Sequence, residues 1–327
     1  MFTGENIKNA LRTAKTRVVG DTRNLVTQNY QLMGRMASWQ VRSQRVLASL
    51  QEAEFKVSSQ WGEDGIIDWL VERAGIPPKS QSFVEFGVED YQEANTRFLL
   101  QNRNWRGLIM DGSTAMVSKV KEDALDWKYD LTIRSTFITR ENINDLISSA
   151  GLGSEIGLLS IDIDGNDYWV WEAIHIVHPI ICICEYNAVF GDVQTISTPY
   201  DPSFNRTKAH HSNLYFGASI AALRSLAVKK GYRFVGTNSA GGNAFFVRED
   251  YARQFVDSSL QHIRAFPSLA RESRDEFGQS NYIGGIERLK HISALPVVNV
   301  ESGQTVRLGD LEPVYSKEWL EIITGAG

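Results

Sequence analysis

Only 2 of the 327 residues are cysteine. Cys182 and Cys184 stand two apart in the apolar run IICICEYN. On a strand they share a face and cannot bridge, so they read as reduced core thiols and exclude a disulfide framework. No apolar run approaches the roughly 18 residues that a membrane-spanning helix needs. An apolar h-region followed by a small-residue cleavage site is also missing from the N-terminus, so a cytoplasmic address is expected. Proline, 8 in all, is absent from residues 5–55, which leaves that stretch free to be helical. Internal repeats and low-complexity segments are lacking as well.

Two missing motifs exclude more. NAD sites place G-x-G-x-x-G between the first strand and its helix, so that a pyrophosphate rests on the helix N-terminus. Here the corresponding loop runs Gly87-Val88-Glu89-Asp90-Tyr91-Gln92, whose acids repel a pyrophosphate. The other close glycines, in GLGSEIG, precede a strand instead of following one. A G-x-x-x-x-G-K-[ST] loop is absent, so nucleoside triphosphates are disfavoured too.

What is present fits a globular protein with one core of ordinary domain size plus additions: 43% of residues are hydrophobic and the net charge is -5. That charge is uneven. Residues 1–50 hold eight Lys and Arg against Glu5 and Asp21, a balance of +6, which leaves -11 on the rest. A basic helical N-terminus either packs on the main domain as a solvated face or meets an acidic partner, an anionic surface or a neighbouring subunit. The acidic remainder repels phosphate, so nucleic acid is not an expected partner.

Ile7, Leu11, Ala14 and Val18 recur at helical spacing, and a second helical stretch runs from about Asn24 to Gln51. A short helix, EDGIIDWLVERAG, follows and is stopped by Gly75 and the Pro77–Pro78 pair. From there strands and helices alternate: SFVEFG, RGLIMDG, LTIRSTFIT, IGLLSIDID and IICICEYN read as strands, with a helix between each pair. This describes a parallel α/β sheet with helices on both faces. After a loop, Ala188 to Asn213, come a further helix and a hairpin, YRFVG and AFFVR, joined by the Gly-rich TNSAGGN. The tail begins helical, and LPVVNVESGQTVRL near its end reads as another hairpin. Three parts are expected: a helical extension 1–57, a catalytic unit 58–249 and a C-terminal extension 250–327.

In open α/β sheets ligands bind outside the carboxyl ends of the strands, so each strand is read at its last residues. The first ends at Glu85, Phe86 and Gly87, where backbone and ligand approach closely. The second ends at Asp111, placed to accept from a ribose diol, followed by Gly112 and Ser113. Asp162 and Asp164 end the fourth, and Glu185 and Asn187 the fifth. Acids in the first loop suit a sulfonium ligand bearing an α-amino group.

FVEFGVEDYQEANTRFLL, GLIMDGS, LLSIDIDGNDYWVW and the NAFFVR hairpin together resemble class I methyltransferases using S-adenosylmethionine, and FkbM-like proteins in particular, over about residues 58–248. Glu85–Val88 is also similar to macrocin-type O-methyltransferases, which use a divalent metal. The resemblance implies a Rossmann-like seven-stranded sheet of order 3-2-1-4-5-7-6, mostly parallel with an antiparallel closing hairpin. It implies that Glu85, Phe86 and Gly87 line the methionine end of the cofactor, that Asp111, Gly112 and Ser113 take the ribose, and that Phe137 and Ile138, ending strand three, border adenine. Asp162 reads as a hydrogen-bonded cofactor ligand or as a base. Glu89 stands where the family's second glycine is usual.

On a strand Asp162 and Asp164 point to one face, while Ile161 and Ile163 point to the other. A hydroxyl that attacks a sulfonium methyl must lose its proton, a carboxylate can take it, and Asp164, with Glu185 and Asn187 beside it, is the residue expected to position or deprotonate the acceptor. Carboxylates can instead hold Mg²⁺, which lowers the hydroxyl pKa. Asp164-Gly165-Asn166-Asp167 resembles the metal-site D-G-D of macrocin-type enzymes, and a metal held by Asp164, Glu185 and Asn187 is expected on that likeness. Asp167 is expected to serve the first turn of its helix, where a carboxylate meets the positive dipole end. His210 and His211 lie in the long loop, and His211 is a candidate base. Tyr200, Asp201 and Phe204 in the same loop are placed to shape an acceptor pocket.

The expectation is therefore a methyltransferase acting on a hydroxyl of a small or carbohydrate acceptor, with possible assembly through the N-terminal helices. Two rivals stand: a nicotinamide- or sugar-nucleotide-dependent enzyme on a similar sheet, and a non-catalytic scaffold that kept the fold.

Overall fold

The computed structural model describes residues 25–268 and 270–325. The helical reading of 5–24, with Ile7, Leu11, Ala14 and Val18, lies outside the described residues. Helix α1 covers 25–43 and stops short of the Gln51 that the pattern predicted. Side chains of α2 (Glu63–Ala74) take the carbonyls at its end: Arg73 Nη2 donates to the Arg42 carbonyl at 3.0 Å, and Trp69 Nε1 donates to that of Gln44 at 2.9 Å. Those groups are satisfied without another helical turn, and the chain leaves to bury Leu47, Leu50 and Ala53. Gly75 closes α2 in the left-handed region, at φ +58, as its stop signal requires.

The main sheet has seven strands. β1 (Ser82–Phe86), β2 (Arg106–Asp111), β3 (Leu131–Ser135), β4 (Glu155–Ile161) and β5 (His178–Glu185) run parallel. β6 (Ile196–Ser197) belongs elsewhere, and β7 (Tyr232–Thr237) and β8 (Asn243–Arg248) form the closing hairpin. The order is β3-β2-β1-β4-β5-β8-β7, with β8 antiparallel to both neighbours. Counting only this sheet's strands, that is the 3-2-1-4-5-7-6 arrangement expected of a class I methyltransferase fold.

Strand periodicity divides the core in two. On β5, Ile181 and Ile183 face a cluster with Trp69 and Leu70 of α2 and Leu99 of α3 (Arg97–Arg103). Cys182 and Cys184 face the opposite cluster, and both thiols are free and buried, as their spacing predicted. α4 (Thr114–Glu122) lies beside β2 and β3, and its Val120 joins the first cluster. α5 (Ile143–Ser148), α6 (Asp167–Ala173) and α8 (Ile220–Lys229) cover the second face. Each fully buried large apolar side chain there, Trp171 and Phe246 among them, contributes roughly 1.5–3 kcal/mol.

The tail packs on the long loop. After α9 (Glu249–Ser259) and an extended stretch come α10 (Glu287–Ile292) and the predicted hairpin, β9 (Pro296–Asn299) with β10 (Thr305–Arg307). β9 pairs with β6, making a three-stranded sheet over Phe190, Leu214 and Val297. A last helix, α11 (Lys317–Thr324), buries Trp319. Among the described residues no helix is long and apolar enough to cross a membrane.

Candidate active site

A cleft of about 380 Å³ opens at the carboxyl ends of β1, β2, β4 and β5. β1 and β4 come together there through a backbone contact. Gly87 has φ +68, and a Cβ on it would stand 1.5 Å from the Asp162 carbonyl oxygen, so only glycine fits. Glu85 is buried one residue inside the end of β1 and works as an anchor: its carboxylate accepts from the backbone N–H of Asn95 at 2.7 Å and of Thr96 at 3.0 Å, and from the Thr96 hydroxyl. Burial raises its pKa to about 7 against the pull of those bonds. Phe86 turns into the core below the sheet and does not line the cleft.

Asp111 ends β2 with both oxygens engaged by backbone, Oδ2 accepting from Glu89 N at 2.9 Å and Oδ1 from Ser113 N at 2.7 Å. It shapes the rim together with Gly112, while the Ser113 hydroxyl caps α4 by accepting from Met116 N. Each Asp111 oxygen keeps a further lone pair for a ligand. Glu89 is exposed at the cleft in the left-handed region, φ 47, whereas Tyr91 is buried with its hydroxyl bonded to Thr96 and leaves the cleft open. Phe137 and Ile138 line the opposite rim. They lie beyond β3, which stops at Ser135 instead of Thr139: the last ladder bond runs from Thr136 N to the Asp111 carbonyl at 2.9 Å, and Thr139 N is taken by Asn142 Oδ1 at 2.9 Å.

The Asp162–Asp167 segment departs most from its strand reading. β4 ends at Ile161, so the face-sharing of Asp162 and Asp164 does not come from strand periodicity. The segment winds round the Asp167 carboxylate, which accepts from Ile163 N at 2.8 Å and from Gly165 N at 2.9 Å. Asp167 thus stands in the first turn of α6, as expected, and also shapes the loop before it. The winding puts Asp164 in the left-handed region at φ 56, with its side chain 61% exposed.

Three carboxylates converge there: oxygens of Asp162, Asp164 and Glu185 lie within 4.8 Å of one another. Burial pushes Asp162 and Glu185 well above the ordinary carboxylate range. The charges of Asp164 and Asp167 add to the shift of Asp162, and those of Asp162 and Asp164 to that of Glu185. Glu185 Oε2 is buried with no hydrogen-bond partner among the described residues. An orphaned oxygen facing crowded like charge is a donor set that a divalent cation relieves, so these side chains fit a metal. Asn187 is not part of it. Its Oδ1 accepts from Val189 N, and its Nδ2 donates to the carbonyls of Leu214 and Phe216, which fixes the loop after β5. Asp162 takes the place that Asn187 was expected to fill.

Arg206 supplies the counter-charge. It stands on α7 (Arg206–Ala209), whose N-cap Asn205 accepts from Lys208 N. Its guanidinium donates to Asp164 at 2.8 Å, to Glu272 at 3.2 Å and to the Asn213 carbonyl at 2.8 Å, and it lies 3.7 Å above the Phe216 ring centroid. Phe204 packs against Gly165, and the Asp201 carbonyl accepts from Asn166, so the long loop does close over the carboxylates. His211 does not join them: it is exposed, stacked on His210, and away from the cleft lining.

Sequence reasoning missed Arg206, Glu272, Gln60 and Asn243, all of which line the cleft. Gln60, Arg206 and Glu272 come from loops or a single turn outside the sheet, where no periodic signal marks them. Asn243 opens β8, and its place in NAFFVR was a usable signal.

No family model matches the chain, and no curated protein matches it. Solved structures with a similar fold include the CurJ carbon methyltransferase, at 11% identity over 61% of this chain and 56% of that one, TM-score 0.37. Others are M. capricolum TrmK with S-adenosyl-homocysteine (12% identity, 54% of this chain and 65% of that one, TM-score 0.31) and PKMT2 from Rickettsia typhi with AdoHcy (8%, 56% and 52%, TM-score 0.36). This chain spans a little over half to about two thirds of those structures' own lengths. At such scores the likeness carries no argument about activity, and the fold assignment stands on strand order.

Proposed function

We propose that this chain transfers the methyl group of S-adenosylmethionine to a hydroxyl oxygen of a small or carbohydrate acceptor. One observation carries the reading. Among the described residues the cleft is lined by eight carboxyl groups (Glu85, Glu89, Glu93, Asp111, Asp162, Asp164, Glu185 and Glu272), of which burial holds Glu85, Asp162 and Glu185 toward the neutral form, against the single cation Arg206. Such a lining favours a ligand with a sulfonium and an ammonium and disfavours a dinucleotide diphosphate. In this reading Gly87 and the acids near it hold the methionine end, Asp111 and Gly112 the ribose, and Phe137 and Ile138 the adenine. Glu85 and Ser113 act behind them as anchors.

In the transfer, the acceptor oxygen forms a bond to the methyl carbon as the carbon–sulfur bond breaks, its electron pair staying on sulfur. The hydroxyl proton passes to a carboxylate. Asp162 and Glu185 share a raised proton affinity, so whichever of the pair is ionised is a better acceptor of that proton than an ordinary surface acid. Asp164, held by Arg206, positions the acceptor beside them. If Mg²⁺ is used, Asp162, Asp164 and Glu185 would hold it, and it would lower the acceptor's pKa. The unit 58–249 carries the chemistry in this reading, 250–327 closes the acceptor side, and copies associate through 1–57. A cytoplasmic setting goes with the two free thiols.

Calorimetry with S-adenosylhomocysteine and with NAD tests the reading. Saturable binding of the first and none of the second is expected; the reverse would transfer the fold to the nicotinamide alternative.

A further inference from the structure

A basic cavity beside the acidic cleft carries an inference about the acceptor, and it rests on the methyl-transfer reading. A neck of about 50 Å³ shares Asp162, Glu185, Arg206 and Asn243 with the cleft. A further cavity of about 170 Å³ shares Ala188, Ser268, Ala270 and Arg288 with that neck. Among the described residues its wall carries Arg271 and Arg288 and no carboxylate, in contrast to the cleft.

Arg288 is unusually poorly partnered. Its Nε is buried without a hydrogen-bond partner, and its only side-chain hydrogen bond among the described residues runs from Nη1 to the Ser268 carbonyl at 3.4 Å. No carboxylate among the described residues pairs with it, whereas Arg206 close by has two. A guanidinium stays charged in proteins, and a desolvated one without an anion is costly. A ligand anion would satisfy it. The fork of a guanidinium matches a planar carboxylate through two parallel bonds. Glu272 in the adjoining neck repels a dianionic phosphate more than a monoanion. Val189, Ile322 and Ile323 offer an apolar wall to the carbon face of a ring.

We propose that the acceptor is a hydroxylated carboxylate of the sugar-acid class, its carboxylate docked on Arg288 with Arg271 beside it and its hydroxyl reaching Asp162 and Glu185 through the neck. The site makes Arg288 a specificity residue, remote from the methyl group itself.

The test is calorimetry on the full chain saturated with S-adenosylhomocysteine, using glucuronate, glucose, glucose 6-phosphate and inorganic phosphate as probes. Glucuronate is expected to bind saturably and glucose not to. Arg288→Met should weaken glucuronate roughly tenfold or more, with S-adenosylhomocysteine affinity unchanged as the control for folding. Should that variant fail to fold, Arg288→Lys, which keeps the charge and loses the fork, should still weaken glucuronate, and Arg271→Met should do so to a smaller extent. Glucose binding as well as glucuronate, or glucuronate binding not at all or equally to the Arg288 variants, overturns the proposal. Tighter binding of either phosphate overturns the carboxylate assignment. Glucuronate binding without any S-adenosylhomocysteine binding instead overturns the methyl-transfer reading and leaves the anion site standing.

Discussion

Asp162 and Glu185 leave adjacent parallel strands side by side. Ile161 faces Cys184 in the last register of β4 and β5, and the two carboxylates follow with oxygens within 4.8 Å of each other. In the folded chain both are held toward the neutral form, by burial first. Unfolded, they ionise near pH 4, at about 3.9 and 4.3. The folded state therefore binds more protons above that pH. The pair's contribution to stability is fully present below about pH 4 and is lost as pH rises through the folded values. Glu85, raised to about 7, and Asp64 and Asp167, raised to about 6, act with the same sign. The melting temperature should fall as pH is raised from about 5 to 8. The double variant Asp162→Asn, Glu185→Gln should show a shallower fall, and an equal slope would mean that the pair ionises normally.

Gly87 and Gly75 separate steric need from backbone preference. Both have positive φ, +68 and +58, but a Cβ at Gly75 meets nothing within 4 Å whereas one at Gly87 meets the Asp162 carbonyl at 1.5 Å. Gly75→Ala should cost about 1–2 kcal/mol, the ordinary left-handed penalty. Gly87→Ala adds displacement of β4's exit and should cost well over that, with loss of S-adenosylhomocysteine binding. Denaturant melts of the two variants measure the difference, and equal costs would show the exit loops to be free to separate.

The sheet was legible because its signals are periodic. Alternation on β5 placed Ile181 and Ile183 against one helix layer and Cys182 and Cys184 against the other, and the late hairpin announced the antiparallel closing strand. The candidate site was legible only where acids end strands. Asp162 to Asp167 looked like more strand, yet the Asp167 carboxylate gathers the N–H groups of Ile163 and Gly165 and bends the chain; a local side-chain bond competes with the ladder and leaves no trace in alternation. Asn187 looked like a ligand, but its amide is needed by the backbone of Val189, Leu214 and Phe216. Arg206, Glu272 and Arg288 reach the site through tertiary packing of the long loop and tail; the Arg206–Glu272 pair alone spans 66 residues, which no local pattern encodes.

Metal binding has a readout independent of activity. If Asp162, Asp164 and Glu185 take Mg²⁺, adding it to chelator-treated protein should raise the melting temperature in a saturable way, by about 2.7 kcal/mol of stabilisation at a hundred times the dissociation constant. Glu185→Gln removes the orphaned oxygen's charge and should abolish the rise. A rise that survives in that variant would place the cation elsewhere, and no rise at all would leave proton transfer to the carboxylates alone.

Among the described residues Arg206 is the one cation in the cleft lining, and its removal distinguishes a charged cofactor from its neutral product. S-adenosylmethionine carries a sulfonium that S-adenosylhomocysteine lacks, while the two share every other group. On the methyl-transfer reading, Arg206→Met deletes a positive charge from the cleft that would take that sulfonium, and it frees the Asp164 carboxylate. A unit charge at contact distance in a wet cleft is worth about 1 kcal/mol, so the affinity of S-adenosylmethionine relative to S-adenosylhomocysteine should rise roughly fivefold. The stability cost should exceed the roughly 0–1 kcal/mol of a surface ion pair, because the Arg206 side chain is only 17% exposed and the variant also loses its bond to the Asn213 carbonyl and its packing on Phe216. Raising salt from about 0.01 to 1 M should shrink the shift, since screening weakens interactions among solvated charges. An unchanged ratio of the two affinities at low salt would mean that the cleft does not sense the sulfonium, and the electrostatic case for a cationic methyl donor would then be lost.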